Sequence, residues 1–127
     1  MSKTILLVED SPTQAIEYGR HLQKAGYDVH FCSDGLTALV MARHDTDAIV
    51  LDVNLPALNG FQVCRRLRRD PLTMNLPIVM LTSISAASDT LHGLEAGAND
   101  YIPKDEFAVE HLLVSLASLL AEREQEA

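Results

Sequence analysis

The chain has few cysteines and few aromatic residues. The scarcity of cysteine argues against a small fold held by structural zinc and against a small fold held by disulfides. Its 127 residues include two cysteines and no tryptophan, and only 5% of them are aromatic. Cys32 and Cys64 do not form the closely spaced pairs that bind structural zinc, and a chain of this length does not need a disulfide to hold its fold. We therefore expect both thiols to be reduced and to serve as buried packing residues.

Positive charge is also scarce. The chain has 10 lysines and arginines against 18 aspartates and glutamates, which gives a formal net charge of −8. Proteins that bind nucleic acids normally present a basic face to the phosphates, so direct binding to nucleic acid is not expected. The one basic run is interpreted either as the solvated face of a helix or as a docking patch for an acidic partner. It consists of Arg65, Arg66, Arg68 and Arg69.

Long apolar runs are missing as well. No stretch has the roughly 20 apolar residues that a membrane-spanning helix needs. The N-terminus passes from Met1 through Ser2 and Lys3 into a short apolar segment, without the hydrophobic region of a signal peptide. We expect no membrane partner, and the cytoplasm is the expected compartment.

The chain does contain a regular alternation of two patterns. Its hydrophobic fraction of 47% is enough for one buried core at this length. Short runs rich in valine, isoleucine and leucine, too brief for helices, alternate five times with longer stretches of helical spacing. The predicted strands are Thr4–Val8, Val29–Cys32, Ala48–Leu51, Ile78–Leu81 and Tyr101–Ile102.

This alternation predicts a doubly wound α/β domain. Strands that are apolar throughout are covered on both faces, and strands joined by helices pair in parallel through right-handed crossovers. Ser11 and the proline after it suit a helix start, and Gly26 and Gly97 stand where helices commonly end in a left-handed residue. We expect one domain over residues 1–121 and a charged tail over residues 122–127, which is either a fraying helix end or a linker.

Polar residues follow four of the five predicted strands. In an open parallel α/β sheet, ligands bind beyond the carboxyl ends of the strands, near the point where the strand order reverses. The second strand ends without comparable chemistry. The others are followed by Glu9 and Asp10, by Asp52, by Thr82 and Ser83, and by Lys104.

Three carboxylates at one edge of the sheet need a counter-ion. Glu9, Asp10 and Asp52 would repel one another in a partly buried cleft, and a hard divalent cation removes that cost. Mg²⁺ prefers oxygen ligands and is usually held by one or two carboxylates together with phosphate oxygens. We expect Asp10 and Asp52 to bind Mg²⁺ directly and Glu9 to bind it through water. A phosphoryl group on Asp52 would be neutralised by Mg²⁺, Thr82 and Lys104.

Most of these residues have a purely structural alternative when they are judged alone. Asp10 suits the N-cap of the first helix, Thr82 a hydroxyl that satisfies local backbone, and Lys104 a solvated lysine. Asp52 is harder to explain in this way, because a carboxylate buried at the end of a central strand is costly unless it has a function. The coincidence of all four at one edge of the sheet favours a functional site.

Four segments resemble the receiver-domain family of bacterial response regulators, in the family's order and over essentially the whole chain. Residues 5–11, ILLVEDS, resemble its opening strand and acidic pair. Residues 52–60, DVNLPALNG, resemble its phosphorylation-site loop and are highly specific. Residues 77–83, PIVMLTS, match its fourth strand and hydroxyl switch residue, and residues 97–104, GANDYIPK, match its fifth strand and lysine.

The resemblance implies a particular phosphorylation chemistry. It implies that a histidine kinase or a phosphotransfer protein phosphorylates Asp52. It also implies that Mg²⁺ is held by Glu9, Asp10, Asp52 and the backbone carbonyl of Asn54.

The resemblance further implies a switch and a fold. Thr82 would swing to bond the phosphoryl group while Tyr101 turns inward, which changes the surface that a downstream protein binds. Judged alone, Tyr101 would be a core tyrosine. The implied fold is a flavodoxin-like five-stranded parallel sheet in the order 2-1-3-4-5. The implied protein is a stand-alone, chemotaxis-type receiver, not an enzyme, with only limited phosphorylation and dephosphorylation chemistry on itself.

One position departs from the family pattern. The family usually has a proline in a cis peptide after its lysine, whereas here Lys104 is followed by Asp105 and the proline precedes it. Asp105 either caps the last helix or pairs with Lys104.

Two other functions stay open. A phosphohydrolase or phosphotransferase with an aspartyl nucleophile would use the same carboxylates and Mg²⁺, although no cap, substrate pocket or further general acid is visible. A phosphorylation-independent interaction module would keep the fold without the chemistry. The last helix also carries a wide apolar stripe, which favours a homodimer or another partner. The stripe consists of Val109, Leu112, Leu113, Leu116, Leu119 and Leu120.

Overall fold

The chain folds into a parallel β-sheet between two layers of helices. The computed structural model describes residues 2–83 and 87–126, with the side chains of residues 2–83 and 92–125. Within these residues, strands and helices alternate as predicted. The strands are β1 (Thr4–Val8), β2 (Asp28–Cys32), β3 (Ala48–Asp52), β4 (Ile78–Thr82) and β5 (Asp100–Pro103), and the helices are α1 (Pro12–Lys24), α2 (Gly35–Met41), α3 (Gly60–Arg69), α4 (Ala87–Ala96) and α5 (Ala108–Glu126).

The strand order is β2-β1-β3-β4-β5, which confirms the predicted doubly wound fold. Every neighbouring pair is parallel, so the carboxyl ends of the strands all lie at one edge. From β1 the chain moves outward to β2 and then returns past β1 to β3. The order therefore reverses between β1 and β3, and a crevice for a ligand is expected at the carboxyl ends of these two strands.

Two apolar cores, one on each face of the sheet, hold the helices. α1 and α5 cover one face, with Leu22 and Leu116 fully buried. α2, α3 and α4 cover the other, where Leu67 lies among the buried residues. Cys32 and Cys64 belong to this second core as free thiols, as predicted. Every residue of β3 and β4 is buried, which is typical of central strands covered on both faces.

The predicted start and end signals of the helices are confirmed. Ser11 is the N-cap of α1, and its hydroxyl accepts from the backbone N–H of Gln14. The alternative in which Asp10 caps this helix is therefore wrong. Gly26 and Gly97 follow α1 and α4 with φ angles of 97° and 102°. In both turns the residue after the glycine donates its N–H to a carbonyl five residues earlier. This bond gives a hydrogen-bond donor to a carbonyl group near the end of the helix.

The basic run on α3 is not uniformly solvated. Three of its four arginines are exposed, but Arg68 is half-buried. Its guanidinium spans the loops that precede β4 and β5. The interpretation of the run as a solvated face or a docking patch is therefore wrong for Arg68, which is a structural cross-link. It donates to the backbone carbonyls of Met74, Leu76 and Gly97 and to the side-chain oxygen of Asn99, over distances of 2.6 to 3.1 Å.

Helix α5 continues through most of the predicted tail. It runs to Glu126; Arg123 donates to the backbone carbonyl of Asp47 at 2.8 Å, and Glu124 pairs with Lys3 at 3.1 Å. Residue 127 lies outside the described residues, and the division at residue 121 stays a prediction. Neither α5 nor any other helix in the described part of the chain combines the length and the hydrophobicity of a membrane span.

The apolar stripe of α5 is largely used within the domain. Leu112, Leu116 and Leu120 are buried in the core, and the other three members of the stripe are partly buried against it. The stripe therefore gives little support to the predicted homodimer, which stays a prediction.

Candidate functional site

A lysine and two buried carboxylates meet at the carboxyl edge of the sheet. Lys104 follows β5, Glu9 follows β1 and Asp52 ends β3. The Nζ atom of Lys104 lies 3.0 Å from Oε2 of Glu9 and 3.0 Å from Oδ2 of Asp52. The side chains of Glu9 and Asp52 are only 1% and 4% exposed, and that of Lys104 is 14% exposed. The structure thus brings together residues that are far apart in the sequence.

The loop after β3 holds Asp52 in place. The backbone N–H of Asn54 donates to Oδ1 of Asp52 at 3.0 Å, and the N–H of Gly60 donates to the carbonyl of Val53 at 2.8 Å. A Cβ atom on Gly60 would lie 2.5 Å from the backbone oxygen of Asp52. Glycine is therefore needed for α3 to begin this close to the end of β3.

The charges in this site are unbalanced. The pKa of Glu9 is raised to about 7, mainly by burial and also by the neighbouring Asp52, against the opposing effect of Lys104. Burial by itself would lower the pKa of Lys104, but its bonds to Glu9 and Asp52 outweigh burial, so this pKa is raised. One lysine does not fully compensate two buried carboxylates, so the site has room for further positive charge.

The acidic residues fit a magnesium ion by the chemistry of their donor atoms. One carboxylate oxygen from each of Glu9, Asp10 and Asp52 lies within 4.8 Å of the others. All three ligands are hard oxygen donors, as Mg²⁺ prefers. Asp10 is exposed whereas Glu9 and Asp52 are buried, so the cluster opens to solvent on the side of Asp10.

A cleft of about 530 Å³ leads to this cluster. Asp10, Asn54 and Thr82 line it together with the residues of the loop after β3. Thr82 is 3% exposed, and its backbone carbonyl accepts from the N–H of Lys104 at 2.6 Å. This contact fixes the start of the loop after β5 against the end of β4, so Thr82 and Lys104 are held at the same edge.

The family of the chain follows from comparison with known proteins. A family model described as the response regulator receiver domain matches residues 5–117. The chain belongs to the response regulator receiver domain family. Receiver domains are components of two-component signalling systems and interact with histidine kinases or phosphotransfer proteins. The expected family membership is thereby confirmed.

Two curated relatives show how much of a longer protein this receiver domain corresponds to. The response regulator MprA of Mycobacterium tuberculosis is 44% identical over 121 residues, which cover 94% of the chain and 51% of MprA. RpaA of Synechocystis, named a DNA-binding dual master transcriptional regulator, is 39% identical over 117 residues, which cover 91% of the chain and 48% of RpaA. The chain therefore spans about half the length of the curated relatives it matches.

A solved receiver domain shows the same fold with a metal ion. The receiver domain of the sensor histidine kinase PA1611 from Pseudomonas aeruginosa superposes with a TM-score of 0.86 at 33% identity. The match covers 95% of the chain and 99% of that domain, which has a magnesium ion coordinated in its active-site cleft. Receiver domains bind Mg²⁺ at this site, and the chain has an acidic cluster there.

Tyr101 of this receiver domain lies inward on β5. Its ring stacks on Phe61 with centroids 6.4 Å apart, and Phe61 also meets His92 of α4 edge-on at 5.9 Å. A Cβ atom on Gly93 would lie 2.5 Å from the tyrosine ring, so α4 packs closely over it. The hydroxyl of Tyr101 is buried, and no partner for it exists among the described side chains. Tyr101 thus connects the cleft, through Phe61, with α4.

Asp105 of the receiver domain neither pairs with Lys104 nor caps α5. The ion pairs of Lys104 are to Glu9 and Asp52, and α5 begins later, at Ala108. The carboxylate of Asp105 instead accepts from the backbone N–H of Phe107 at 2.8 Å, which forms a local turn before the helix. The backbone of the described residues contains no cis peptide bond.

Two residues near the site were missed from the sequence. Gln14 accepts a hydrogen bond from Nζ of Lys104, and Phe61 lines the cleft beside Thr82. Gln14 stands three residues after a helix-capping serine, where a glutamine suggests a capping role and nothing points to Lys104. Phe61 is one apolar residue on an amphipathic helix, which predicts only that it packs.

Proposed function

We propose that this receiver domain is a phosphoacceptor whose reacting group is the carboxylate of Asp52. A histidine kinase or a phosphotransfer protein supplies the phosphoryl group, and the reaction requires Mg²⁺. The resulting aspartyl phosphate changes a protein-binding surface. The observation that carries this proposal is the buried Asp52 carboxylate, bonded to Lys104 at 3.0 Å beside a cleft lined by Asp10 and Thr82.

The phosphoryl transfer itself is a single displacement at phosphorus. A carboxylate oxygen of Asp52 forms a bond to the phosphorus of a phosphohistidine as the phosphorus–nitrogen bond breaks. The electron pair of that bond goes to the imidazole nitrogen of the donor, which takes up a proton from solvent. No oxidant or further reactant is needed.

The residues around Asp52 act mainly through charge and position. Mg²⁺, when bound by Glu9, Asp10, Asp52 and the backbone carbonyl of Asn54, supplies positive charge to the phosphoryl oxygens. Lys104 approaches from the loop after β5, and its ammonium group already lies within bonding distance of Asp52. Positioning and charge stabilisation are the main contributions that a protein makes to phosphoryl transfer.

The proposed switch begins at Thr82 and ends at Tyr101. In this proposal the hydroxyl of Thr82 turns to donate to a phosphoryl oxygen, and the backbone bond between Thr82 and Lys104 keeps β4 and β5 together. A shift at the end of β4 then alters the packing of Tyr101 between Phe61 and Gly93. The output is a changed surface of α4, β5 and α5, which a downstream protein binds.

Intact-mass spectrometry tests the proposal. The purified chain is incubated with acetyl phosphate, with and without Mg²⁺, as wild type, Asp52→Asn and Asp28→Asn. Asp28 is an exposed carboxylate at the start of β2, at the edge of the sheet that lies opposite the site. It serves as the matched control. We expect a gain of about 80 Da in the wild type and in Asp28→Asn only when Mg²⁺ is present, and no gain in Asp52→Asn.

Other results would favour the alternatives. A wild type that stays unmodified, and that also fails to bind the phosphate mimic beryllofluoride, would favour a phosphorylation-independent interaction module. Rapid turnover of small phosphorylated metabolites would favour a phosphohydrolase with an aspartyl nucleophile.

A further inference from the structure

Lys104 has a third partner besides the two carboxylates, and it comes from α1. Its ammonium group carries three N–H donors and no acceptor. Glu9 and Asp52 take two of these donors at 3.0 Å, and the side-chain carbonyl oxygen of Gln14 takes the third. We propose that Gln14 is a positioning residue, which holds the ammonium group of Lys104 beside Asp52 for phosphoryl transfer. This inference rests on the proposed function.

The identity of the accepting atom in Gln14 follows from chemistry. An amide offers an oxygen that accepts and a nitrogen that only donates. Because the partner is an ammonium group, only the oxygen can form the contact. The orientation of the Gln14 amide is therefore fixed by Lys104.

Comparison with α3 shows that Gln14 does not perform the task its position suggests. Gln62 stands at the same place in α3, three residues after the N-cap, and its side-chain oxygen accepts from the backbone N–H of Asn59 at 3.0 Å. In α1 the corresponding backbone N–H, that of Ser11, donates to Glu9 at 3.2 Å instead. The side chain of Gln14 is thus released from capping and reaches Lys104.

The start of α1 is well placed for this role. Ser11 is bonded to Glu9 through its backbone and to the N–H of Gln14 through its hydroxyl. Glu9 in turn contacts Lys104, so α1, β1 and the loop after β5 form one connected set of hydrogen bonds. The backbone of a residue in the first turn of a capped helix has little freedom, and the side-chain oxygen of Gln14 is held in turn by its bond to Lys104.

Phosphoryl transfer requires Lys104 to redirect one bond without leaving the site. As the phosphoryl group forms its bond to Asp52, the donor that faces Asp52 turns to a phosphoryl oxygen. Gln14 and Glu9 keep the other two donors occupied, so the ammonium group does not have to find new partners during the step. Preorganised donors of this kind reduce the barrier, because they need no rearrangement at the moment of reaction.

The first experiment observes Lys104 directly. Nitrogen-15 NMR of lysine ammonium groups detects those whose protons exchange slowly because they are hydrogen-bonded, and a Lys104→Arg variant assigns the signal. We compare the wild type with Gln14→Met, which keeps the length of the side chain without its acceptor. Gln23→Met is the matched control, since Gln23 is exposed at the other end of α1. We expect the Lys104 signal in the wild type and in Gln23→Met, and its loss in Gln14→Met.

The second experiment measures the rate of phosphorylation by acetyl phosphate with Mg²⁺. We expect Gln14→Met to slow the reaction about fivefold to tenfold, as for the loss of one hydrogen bond to a charged group, and Gln23→Met to leave it unchanged. In a Lys104→Ala background, Gln14→Met should change the rate by less than about twofold, because its partner is already gone.

These results distinguish a role of Gln14 in positioning Lys104 from a role in the stability of α1 alone. An unchanged rate and signal in Gln14→Met would overturn the inference, as would an equal slowing in both backgrounds. If the wild type takes up no phosphoryl group at all, the proposed function fails. The NMR comparison then still decides whether Gln14 holds Lys104.

Discussion

The residues at the carboxyl edge illustrate how one buried lysine is shared among several acceptors. Lys104 bonds Glu9, Gln14 and Asp52, and each of these residues comes from a different segment of the chain. Removing one partner of a buried charge leaves a group without compensation, which costs more than the pair contributes in net stability. The site therefore depends on the neighbours of Asp52 as much as on Asp52 itself.

At the same scale, Gly60 is required by a close backbone contact. In Gly60→Ala the added Cβ would lie 2.5 Å from the backbone oxygen of Asp52 and 2.8 Å from Cα of Val53, and backbone atoms cannot give way as a side-chain end can. We expect the free energy of unfolding, measured with urea, to fall by about 3 kcal/mol. We also expect slower phosphorylation of Asp52.

Gly26 provides the matched control for this prediction. Its φ of 97° strains any other residue, but nothing lies within 4 Å of an added Cβ. Gly26→Ala should therefore cost only about 1 kcal/mol and leave phosphorylation unchanged. Equal losses of stability in the two variants would show that close packing at Gly60 is not the cause.

Among the elements, α3 is held at both ends by different means. Its start lies against the end of β3 through Gly60, and its last turn carries Arg68, which bonds the loops before β4 and β5. Asn99 extends this link, because its side-chain oxygen accepts from both Arg68 and the N–H of Ile78. The helix that follows the loop after β3 is thus connected to the two strands that carry Thr82 and Tyr101.

Arg68→Lys tests this connection between elements. Lysine keeps the charge but cannot reproduce the planar set of donors that reaches four acceptors. We expect the free energy of unfolding to fall by about 2 kcal/mol, as measured by urea denaturation. Arg66→Lys changes an exposed member of the same run and should stay within about 0.5 kcal/mol of the wild type. If both variants match the wild type, the cross-link contributes nothing to stability.

The elements also show what the sequence could predict. Strands of valine, isoleucine and leucine are recognisable alone, and parallel pairing sends their carboxyl ends to one edge, so Asp52 and Lys104 were expected to meet. The tasks of Gln14 and Arg68 were not predictable, because their partners lie 90 and up to 31 residues away. Local patterns predict only a capping glutamine and a solvated arginine, and tertiary contacts override both.

At the scale of the whole molecule, the sheet separates two cores. Both buried thiols lie in the core under α2, α3 and α4, and the pKa of a thiol there depends on how well the core excludes water. Burial raises the pKa of Cys64 from 9.0 to about 11, against the opposing effect of nearby arginines. A raised pKa in the folded state means that folding favours the protonated thiol. The stability from this effect is complete below about pH 9 and is lost as the pH rises toward about 11.

Comparison with Cys64→Ala measures this loss. The alanine variant has no thiol to ionise and should be less stable at pH 8 by an amount that reflects the lost volume. We expect the difference in unfolding free energy between wild type and variant to shrink between pH 9 and pH 11, measured by urea denaturation at each pH. A difference that stays constant over this range would contradict the assignment of Cys64 to a closed core.

The proposed role of Asp52 as phosphoacceptor is tested most directly by locating the phosphoryl group in the chain. After incubation with acetyl phosphate and Mg²⁺, borohydride reduces an aspartyl phosphate to homoserine, and tandem mass spectrometry of the peptides identifies the residue that was converted. We predict homoserine at position 52, dependent on Mg²⁺. Conversion at another carboxylate, or none at position 52 in a protein that has gained a phosphoryl group, would contradict this role.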